Sequence, residues 1–413
     1  MSREMKHSGI EWIGEIPKEW DVSKIGNLYH VRNEKVSDKD YPPLSVTMNG
    51  IVPQLETAAK TNNGDDRKLV CKGDFAINSR SDRRGSCGVS QYDGSVSLIN
   101  TILTPRTAMN PQFYNWLFHT ELFADEFYKW GHGIVNDLWT TRWQEMKNIS
   151  IVLPSLTEQQ KIANYLDKVC GEVDEMIALQ EQMIEELKAY RQSVITEAVT
   201  KGLNPNVPMK DSGIDWIGEI PEGWEIARIK NILEDSSLQT TTGQEEQLSV
   251  TQNKGIIKSS EIQVANPSTS QIGWKIVKKD DIVFNKYKAH SGVFFVSPYD
   301  GIVTFNYSVY HCREGVFPKF YELLFKTPLC IAEFRKAMKG VGESISPLYT
   351  RDLFRIDIFI PPLFEQQSIA SYLDTKCAEI DALIALKQAK IDELKEYKKS
   401  VIYEYVTGKK EVV

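Results

Sequence analysis

Two short polar runs carry the side chains best suited to chemistry in this chain. They are Asn78-Ser79-Arg80-Ser81-Asp82-Arg83-Arg84-Gly85 and Asn285-Lys286-Tyr287-Lys288-Ala289-His290-Ser291-Gly292. Each concentrates cationic or ionisable groups on a few residues after a β-like run and before a glycine. Arginine forks can read guanine or clamp phosphate, lysines contact phosphate, and amides can read adenine. One such run alone reads best as an exposed charged turn. Recurrence of the run at an offset of 207 residues favours nucleic-acid binding. The candidates for DNA contact are Asn78, Arg80, Ser81, Arg83 and Arg84 in the first half, and Asn285, Lys286, Tyr287, Lys288 and His290 in the second. The turns after the two LSVT runs add Thr47 and Asn49, against Thr251, Gln252 and Asn253, although a plain hairpin explains them about as well. Trp130-Gly131-His132-Gly133 and Lys339-Gly340-Val341-Gly342 are weaker equivalents.

Catalytic patterns are missing. There is no GxxxxGK[ST], no GxGxxG after a strand, and no spacing of the six histidines or six cysteines that suits a metal. Asn110-Pro111-Gln112-Phe113 approaches the amide–Pro–Pro–aromatic loop of adenine methyltransferases but lacks the second proline, so it reads as the turn that starts a helix. The cysteines read as small apolar packing residues.

The elements that must position the candidates are written twice. MKHSGIEWIGEIPKEWDVSKIGNL from Met5 returns as MKDSGIDWIGEIPEGWEIARIKNI from Met209, with fourteen of 24 positions identical. PSLTEQQKIANYLDKVCGEVDEM from Pro154 returns as PPLFEQQSIASYLDTKCAEIDAL from Pro361. A period near 200 residues is a tandem pair of domains, not a solenoid. Residues 29–153 and 233–360 mix short β-like runs, turn residues and an aromatic helical stretch, an α+β texture. Residues 157–200 and 364–407 are helical. Ile162, Leu166, Val169, Val173, Met176, Gln180, Met183, Leu187, Tyr190 and Val194 form a seam at coiled-coil spacing. The second helix repeats it with Lys376, Lys387 and Lys390 inserted, which predicts an antiparallel pairing of the two helices with those lysines reaching glutamates of the first; the alternative is that each helix pairs with another chain. Thr157 and Gln160 suggest a capping box and Gly202 a stop. Phe364 in place of Thr157 leaves the second start to packing. Ile177, Ile184 and Ile195, matched by Ile384, Ile391 and Ile402, form a spare stripe for docking the domains or an outside subunit. The pattern is circular, because the end of the second helix would run on into the first block. The expected boundaries are 1–155, a globular domain; 156–203, a helix; 204–362, a second globular domain; and 363–413, a second helix.

Composition sets milder bounds. The 413 residues carry net charge −7 and 41% hydrophobic content, so any basic surface is local and the chain is long enough for two cores. No apolar run approaches a membrane span and the N-terminus has no signal-peptide core, which suggests a cytoplasmic protein.

The SGxxWIGEIPxxW blocks, the PxLxEQQxIAxYLD blocks and the long helices resemble the DNA-specificity subunit of type I restriction-modification systems over the whole chain. The resemblance implies two target-recognition domains held apart by two antiparallel conserved helices, with a pseudo-twofold, circular frame. It implies a non-catalytic chain that reads a bipartite, asymmetric double-stranded DNA target. It also implies two methyltransferase subunits and restriction subunits as partners, with S-adenosylmethionine, ATP and Mg on those partners and no cofactor or metal on this chain. The repeated frame would then dock partners through Glu158, Gln159, Gln160, Ile177 and Ile184, and through Glu365, Gln366, Gln367, Ile384 and Ile391. A helix of about 43 residues is about 65 Å long, close to two turns of B-DNA. The alternative is the recognition half of a fused methyltransferase-nuclease that lost its catalytic part.

Overall fold

The tandem repeat is built into two units whose boundaries fall inside both long helices. One unit comprises Met1–Glu181 with Gln388–Val413, the other Gln182–Lys387. The expected boundaries assigned each helix whole to its own segment; in the structure each unit owns the first part of one helix and the last part of the other. The computed structural model describes residues 3–55, 64–133, 139–252, 254–262, 270–338 and 347–412. Asn253 and the 339–342 turn lie outside the described residues.

In the first unit a four-stranded antiparallel sheet has the order Cys87–Val89, Phe75–Asn78, Asn100–Pro105, Tyr29–Arg32. The hairpin Leu44–Thr47/Gly50–Pro53 and the strand pair Arg67–Val70/Gly94–Val96 enclose a small aliphatic core of Leu44, Ile51, Val70, Ala76, Val96 and Ile102. The opposite face of the sheet buries an aromatic layer from helices Pro111–Phe118 and Glu121–Lys129, including Phe113, Tyr114, Phe118, Phe123 and Phe127. Asn110 caps the first of these helices by accepting from Phe113 N at 3.0 Å, with Pro111 at its first position, so the Asn-Pro dipeptide is a helix start.

The second unit repeats this plan. Its sheet runs Leu233–Asp235, Tyr307–Cys312, Ile282–Asn285, Phe294–Val296, its hairpin is Leu248–Thr251/Gly255–Lys258, and its aromatic layer contains Phe284, Phe294, Tyr310, Tyr321 and Phe325. The repeated Tyr-Asp-Gly runs are frame: Asp93 Oδ1 accepts from Lys72 N at 2.8 Å and Asp300 Oδ1 from Lys279 N at 2.7 Å. That backbone hydrogen bond, with Lys278 beside it, holds the Asp300 carboxyl below its ordinary value.

The long helices span Leu156–Lys201 and Leu363–Val406 and run antiparallel within each unit. Lys398 Nζ meets Asp174 at 2.7 Å in the first unit, and its repeat counterpart Arg191 meets Asp381 at 3.2 Å in the second. The buried stripe follows the expected seam in part. Both begin at Ile162 and Leu166, but burial then follows Cys170, Val173, Ile184 and Ile195, while Met176 and Tyr190 are 45% and 58% exposed. In the second helix Ile369, Leu373, Ile380, Leu394 and Val401 of the expected seam are buried, joined by Cys377, Ile391 and Ile402, while Leu383 and Tyr397 stand out. A helix with 3.6 residues per turn drifts from a strict 3.5-residue repeat, and here residues one position on from the seam, such as Cys170, Ile184 and Ile391, share the packed face. The supposedly spare stripe is therefore in part the seam. Lys376 and Lys390 are beside it, each paired with a glutamate three residues on in its own helix (Glu379, 2.8 Å; Glu393, 2.9 Å) and not with the first helix.

Helix starts also differ from expectation. Ser155, not Thr157, is the cap: its Oγ accepts from Glu158 N at 3.3 Å. At the second start Pro362 offers only its carbonyl, and Phe364 is 67% exposed, so its packing does not hold that end. The EQQ runs hold both starts instead. Glu158 accepts from Trp20 Nε1 at 2.7 Å and Glu365 from Trp224 Nε1 at 2.9 Å, which ties each helix to its WIGEIPxxW block. Gln159 donates to Pro154 O and accepts from Asn110 N; Gln366 donates to Pro361 O and Gly315 O and accepts from Phe317 N. The first helix stops as read, at Gly202 (φ +76°), and the second stops at another left-handed glycine, Gly408 (φ +71°). Gly202 packs on Trp224 and Pro221, and Gly408 on Trp20 and Pro17, so each unit joins a helix end to a WIGEIP block. The circular character of the sequence is thus realised in each unit. Among the described residues no helix is long and apolar enough to cross a membrane.

Candidate nucleic-acid interface

The loop after strand Phe75–Asn78 is shaped by its own polar groups. Asn78 is buried, and its Oδ1 accepts from Arg80 N at 3.1 Å. A single 3-10 turn, Ser81–Arg83, follows, and Gly85 at φ +75° closes the loop. The second unit repeats the geometry. Asn285 Oδ1 accepts from Tyr287 N at 3.0 Å, a 3-10 turn covers Ala289–Ser291, and Gly292 at φ +66° closes it. Asn78 and Asn285 therefore shape backbone. The side chains offered to a partner are the next residues along.

Those side chains are differently available. Arg83 is the freest cation of the first loop, 69% exposed and 3.9 Å from Asp82. Arg80 is held closer, 3.3 Å from Asp82, while Arg84 is ion-paired with Asp125. Ser81 is half-buried. In the second loop Lys288 and Tyr287 are exposed, Lys286 Nζ lies 5.5 Å over the Tyr287 ring, and His290 is half-buried with Nδ1 lacking a partner. A lysine on an aromatic face leaves a flat, cationic surface suited to phosphate or a base.

The LSVT hairpins lie against these loops. A Cβ on Gly88 would come within 2.8 Å of Gly50 Cα, so the hairpin turn rests directly on the strand that follows the first basic loop. At the tip Thr47 Oγ1 donates to Gly50 O at 2.9 Å and accepts from Asn49 N at 3.1 Å, leaving Met48 69% exposed. Thr251 Oγ1 donates to Gly255 O at 3.1 Å in the second unit, and Gln252 is exposed. Thr47 and Thr251 are thus turn residues first. The Trp130–Gly133 turn also borders the first loop: His132 and Thr140 exchange backbone hydrogen bonds of 3.2 and 3.0 Å, and Ser81 N donates to Trp139 O at 2.9 Å. All three candidate segments of the first unit share one edge. Trp139, 36% exposed, completes that edge and had no signal in the sequence, because the backbone contact it makes, accepting from Ser81 N beside the Thr140 bridge, is defined only by its partner.

Four of the ten residues expected to dock partners are spent internally. Gln159 and Gln366 are buried in the helix-start locks, and Ile184 and Ile391 are buried in the helical layer. Glu158 and Glu365 hold tryptophans, Gln160 bonds Asn110 and Asn164, Ile177 and Ile384 are half-buried, and Gln367 is exposed. Cys87, Cys170, Cys330 and Cys377 are buried thiols, and burial pushes Cys170 up to about 11 and Cys330 up to about 12. Among the described residues no group of three or more His, Cys, Asp or Glu could hold a metal ion.

Comparison with known proteins places this geometry. The type I restriction modification DNA specificity domain matches residues 17–189 and again 221–396. The type I restriction enzyme MjaVIII specificity subunit of Methanocaldococcus jannaschii is 25% identical, over 95% of this chain and 93% of that one. A chain from a structural study of complex assembly and conformational transition in the type I R-M system shares the fold, with a TM-score of 0.69, 16% identity, and 95% and 99% of the two chains covered. The HsdS subunit of Thermoanaerobacter tengcongensis has a TM-score of 0.53 at 17% identity, covering 95% and 98%. These relatives are specificity subunits along nearly their whole length, which overturns the reading as half of a fused methyltransferase-nuclease. With both halves matched, the chain belongs to the type I restriction modification DNA specificity family and carries two copies of its domain.

Proposed function

We propose that the chain is the non-catalytic DNA-reading subunit of a type I restriction-modification complex, each unit reading one half of a bipartite, asymmetric target. The observation that carries this reading is one loop architecture used twice with different side chains. The Asn-anchored turn and its closing glycine recur, while Arg80, Arg83 and Arg84 are replaced by Tyr287, His290 and Ser291. Two similar scaffolds with different contacts suit two different half-sites. Adenine methylation and cleavage then belong to partner subunits, together with S-adenosylmethionine, ATP and Mg. Two methyltransferase copies suit a duplicated frame. Docking falls to what the frame leaves exposed, including Gln160, Gln367 and the outward Met176, Tyr190, Leu383 and Tyr397. With net charge −7, much of the phosphate grip is expected from the partners.

The test is co-expression with the partner methyltransferase, followed by single-molecule sequencing of the host DNA. The expected result is adenine methylation at one split motif with unlike halves, and none from the chain alone. A continuous motif, or methylation by the isolated chain, overturns the reading.

A further inference from the structure

We infer that Arg142 and Tyr349 are specificity-determining residues, each the second member of a two-residue reading pair in its unit. The inference rests on the DNA-reading function proposed above. It starts from a short ladder outside the main sheets. Thr141 N donates to Ser79 O at 2.9 Å, Ser81 N donates to Trp139 O at 2.9 Å, and Arg80 bridges Thr140 in antiparallel register. In such a ladder Arg80 and Thr140 share a face, and the residue two beyond Thr140 shares it as well. That residue is Arg142. A diagonal neighbour of this kind lies about 7–8 Å away, within reach of long side chains. In the second unit one bond of that ladder recurs, Leu348 N donating to Lys286 O at 2.8 Å, while Lys288 N turns back to Asn285 O at 2.9 Å; the shared bond puts Tyr349 at the position diagonal to Tyr287.

Arg142 and Tyr349 are exposed, and both are extended residues preceding equivalent short helices, Trp143–Met146 and Thr350–Leu353. At a matched pair of positions the first unit thus presents Arg and Arg, and the second Tyr and Tyr. The Asn-anchored turn and its closing glycine keep their roles around them. Two neighbouring guanidiniums, with Arg80 paired to Asp82 and Arg142 in no ion pair among the described residues, favour an acceptor-rich ligand. A guanine edge offers N7 and O6 to such a fork. Two tyrosine rings offer apolar contact to a thymine methyl and one hydroxyl each. The first unit's half-site should therefore contain a guanine that depends on Arg142, and the second unit's half-site a thymine-bearing position that depends on Tyr349.

The substitutions should leave the fold in place. Arg142 contributes to its helix start through its backbone, N to Glu145 Oε2 at 3.0 Å, which R142A and R142K retain. The full chain, wild type, R142A, R142K, Y349A or Y349F, is co-expressed with its partner methyltransferase, and motifs are read by single-molecule sequencing. Melting temperatures of the purified chains serve as the fold control. Expected for R142A is at least ~10-fold loss of discrimination at one position of one half-site, with the other half unchanged. R142K should be intermediate, because lysine cannot make the bidentate contact. Y349A should relax the opposite half, and Y349F should retain most of its selectivity. A bipartite wild-type motif that R142A and Y349A leave intact sinks the inference alone. So does a uniform fall in methylation with base preference unchanged, which would mark phosphate contact or lost fold. A wild-type complex with a continuous motif sinks the parent function and this inference with it.

Discussion

At the scale of single residues, the structure separates side chains that shape the site from side chains free to read. Asn78 is buried under its own turn whereas Arg83 is 69% exposed with one distant carboxylate. R83A is accordingly expected to leave the melting temperature within about 2 °C, as for most surface changes, yet to alter one half of the methylation motif or lower affinity; an unchanged motif with unchanged salt-dependent binding would remove Arg83 from the interface. The glutamines of the EQQ runs make the opposite case. Gln366 is fully buried with three hydrogen bonds, and Gln367 beside it is exposed. Q366A should cost about 2–4 kcal/mol, since it orphans a buried N–H and two carbonyls, while Q367A stays within ~0.5 kcal/mol; urea titrations of the two variants compare them directly. The sequence displayed this motif plainly, and its repetition showed that it mattered. Its role was invisible, because Trp20, Asn110 and Phe317 reach it only through the fold.

At the scale of elements, the long helices were legible in extent and direction but not in facing. Apolar residues occupy two adjacent stripes, Met176–Tyr190 and Ile177–Ile184, and periodicity cannot rank one above the other. Drift of the helix relative to a seven-residue repeat decides it. Ile391 at 1% exposure is therefore expected to matter far more than Tyr397 at 51%. I391A should destabilise by about 2–5 kcal/mol and Y397A by less than about 1. Equal effects in thermal melts would return the seam to its expected register. The glycines that end the helices differ in a way sequence does not show. Both have left-handed φ, but a Cβ on Gly408 would meet Pro17 Cδ at 2.4 Å, whereas the nearest atom to one on Gly202 is 3.5 Å away. G202A should cost about 1 kcal/mol from backbone strain, and G408A clearly more. The reading-edge ladder is the element least open to sequence analysis. Two or three residues near Arg80 pair with two or three near Thr140, too short a run for any alternation to register.

At the scale of the whole molecule, the circular repeat becomes a statement about which residues complete which unit. Residues 388–413 belong to the unit that begins at Met1, and they supply Val401, Ile402 and Val406 to its aromatic core beside Ile162 and Leu166. Removing them should strip that core of one wall while the second unit keeps Ile195, Val199, Ile369 and Leu373 together. The truncated chain is expected to melt in two steps, the lower from the first unit. The same logic favours moving the chain break. Arg3 and Lys410, Glu411 and Val412 line one shared cavity of about 240 Å³ in the first unit, so the two ends of the described chain lie near each other there. The covalent counterpart in the second unit is the segment from Gly202 to Pro208, in which Leu203–Asn206 are exposed. A permutant closed by a short linker from Val412 to Arg3 and opened between Asn204 and Asn206 keeps every helix-end contact on Trp20 and Trp224. Exposed polar loop segments tolerate such breaks. The permutant should fold, retain a melting temperature within several degrees of the parent, and direct methylation to the same split motif. Loss of either half of that motif in a folded permutant would mean that the open junction between Val412 and Arg3 is itself part of the reading apparatus, and that the circular frame is only a pattern in the sequence.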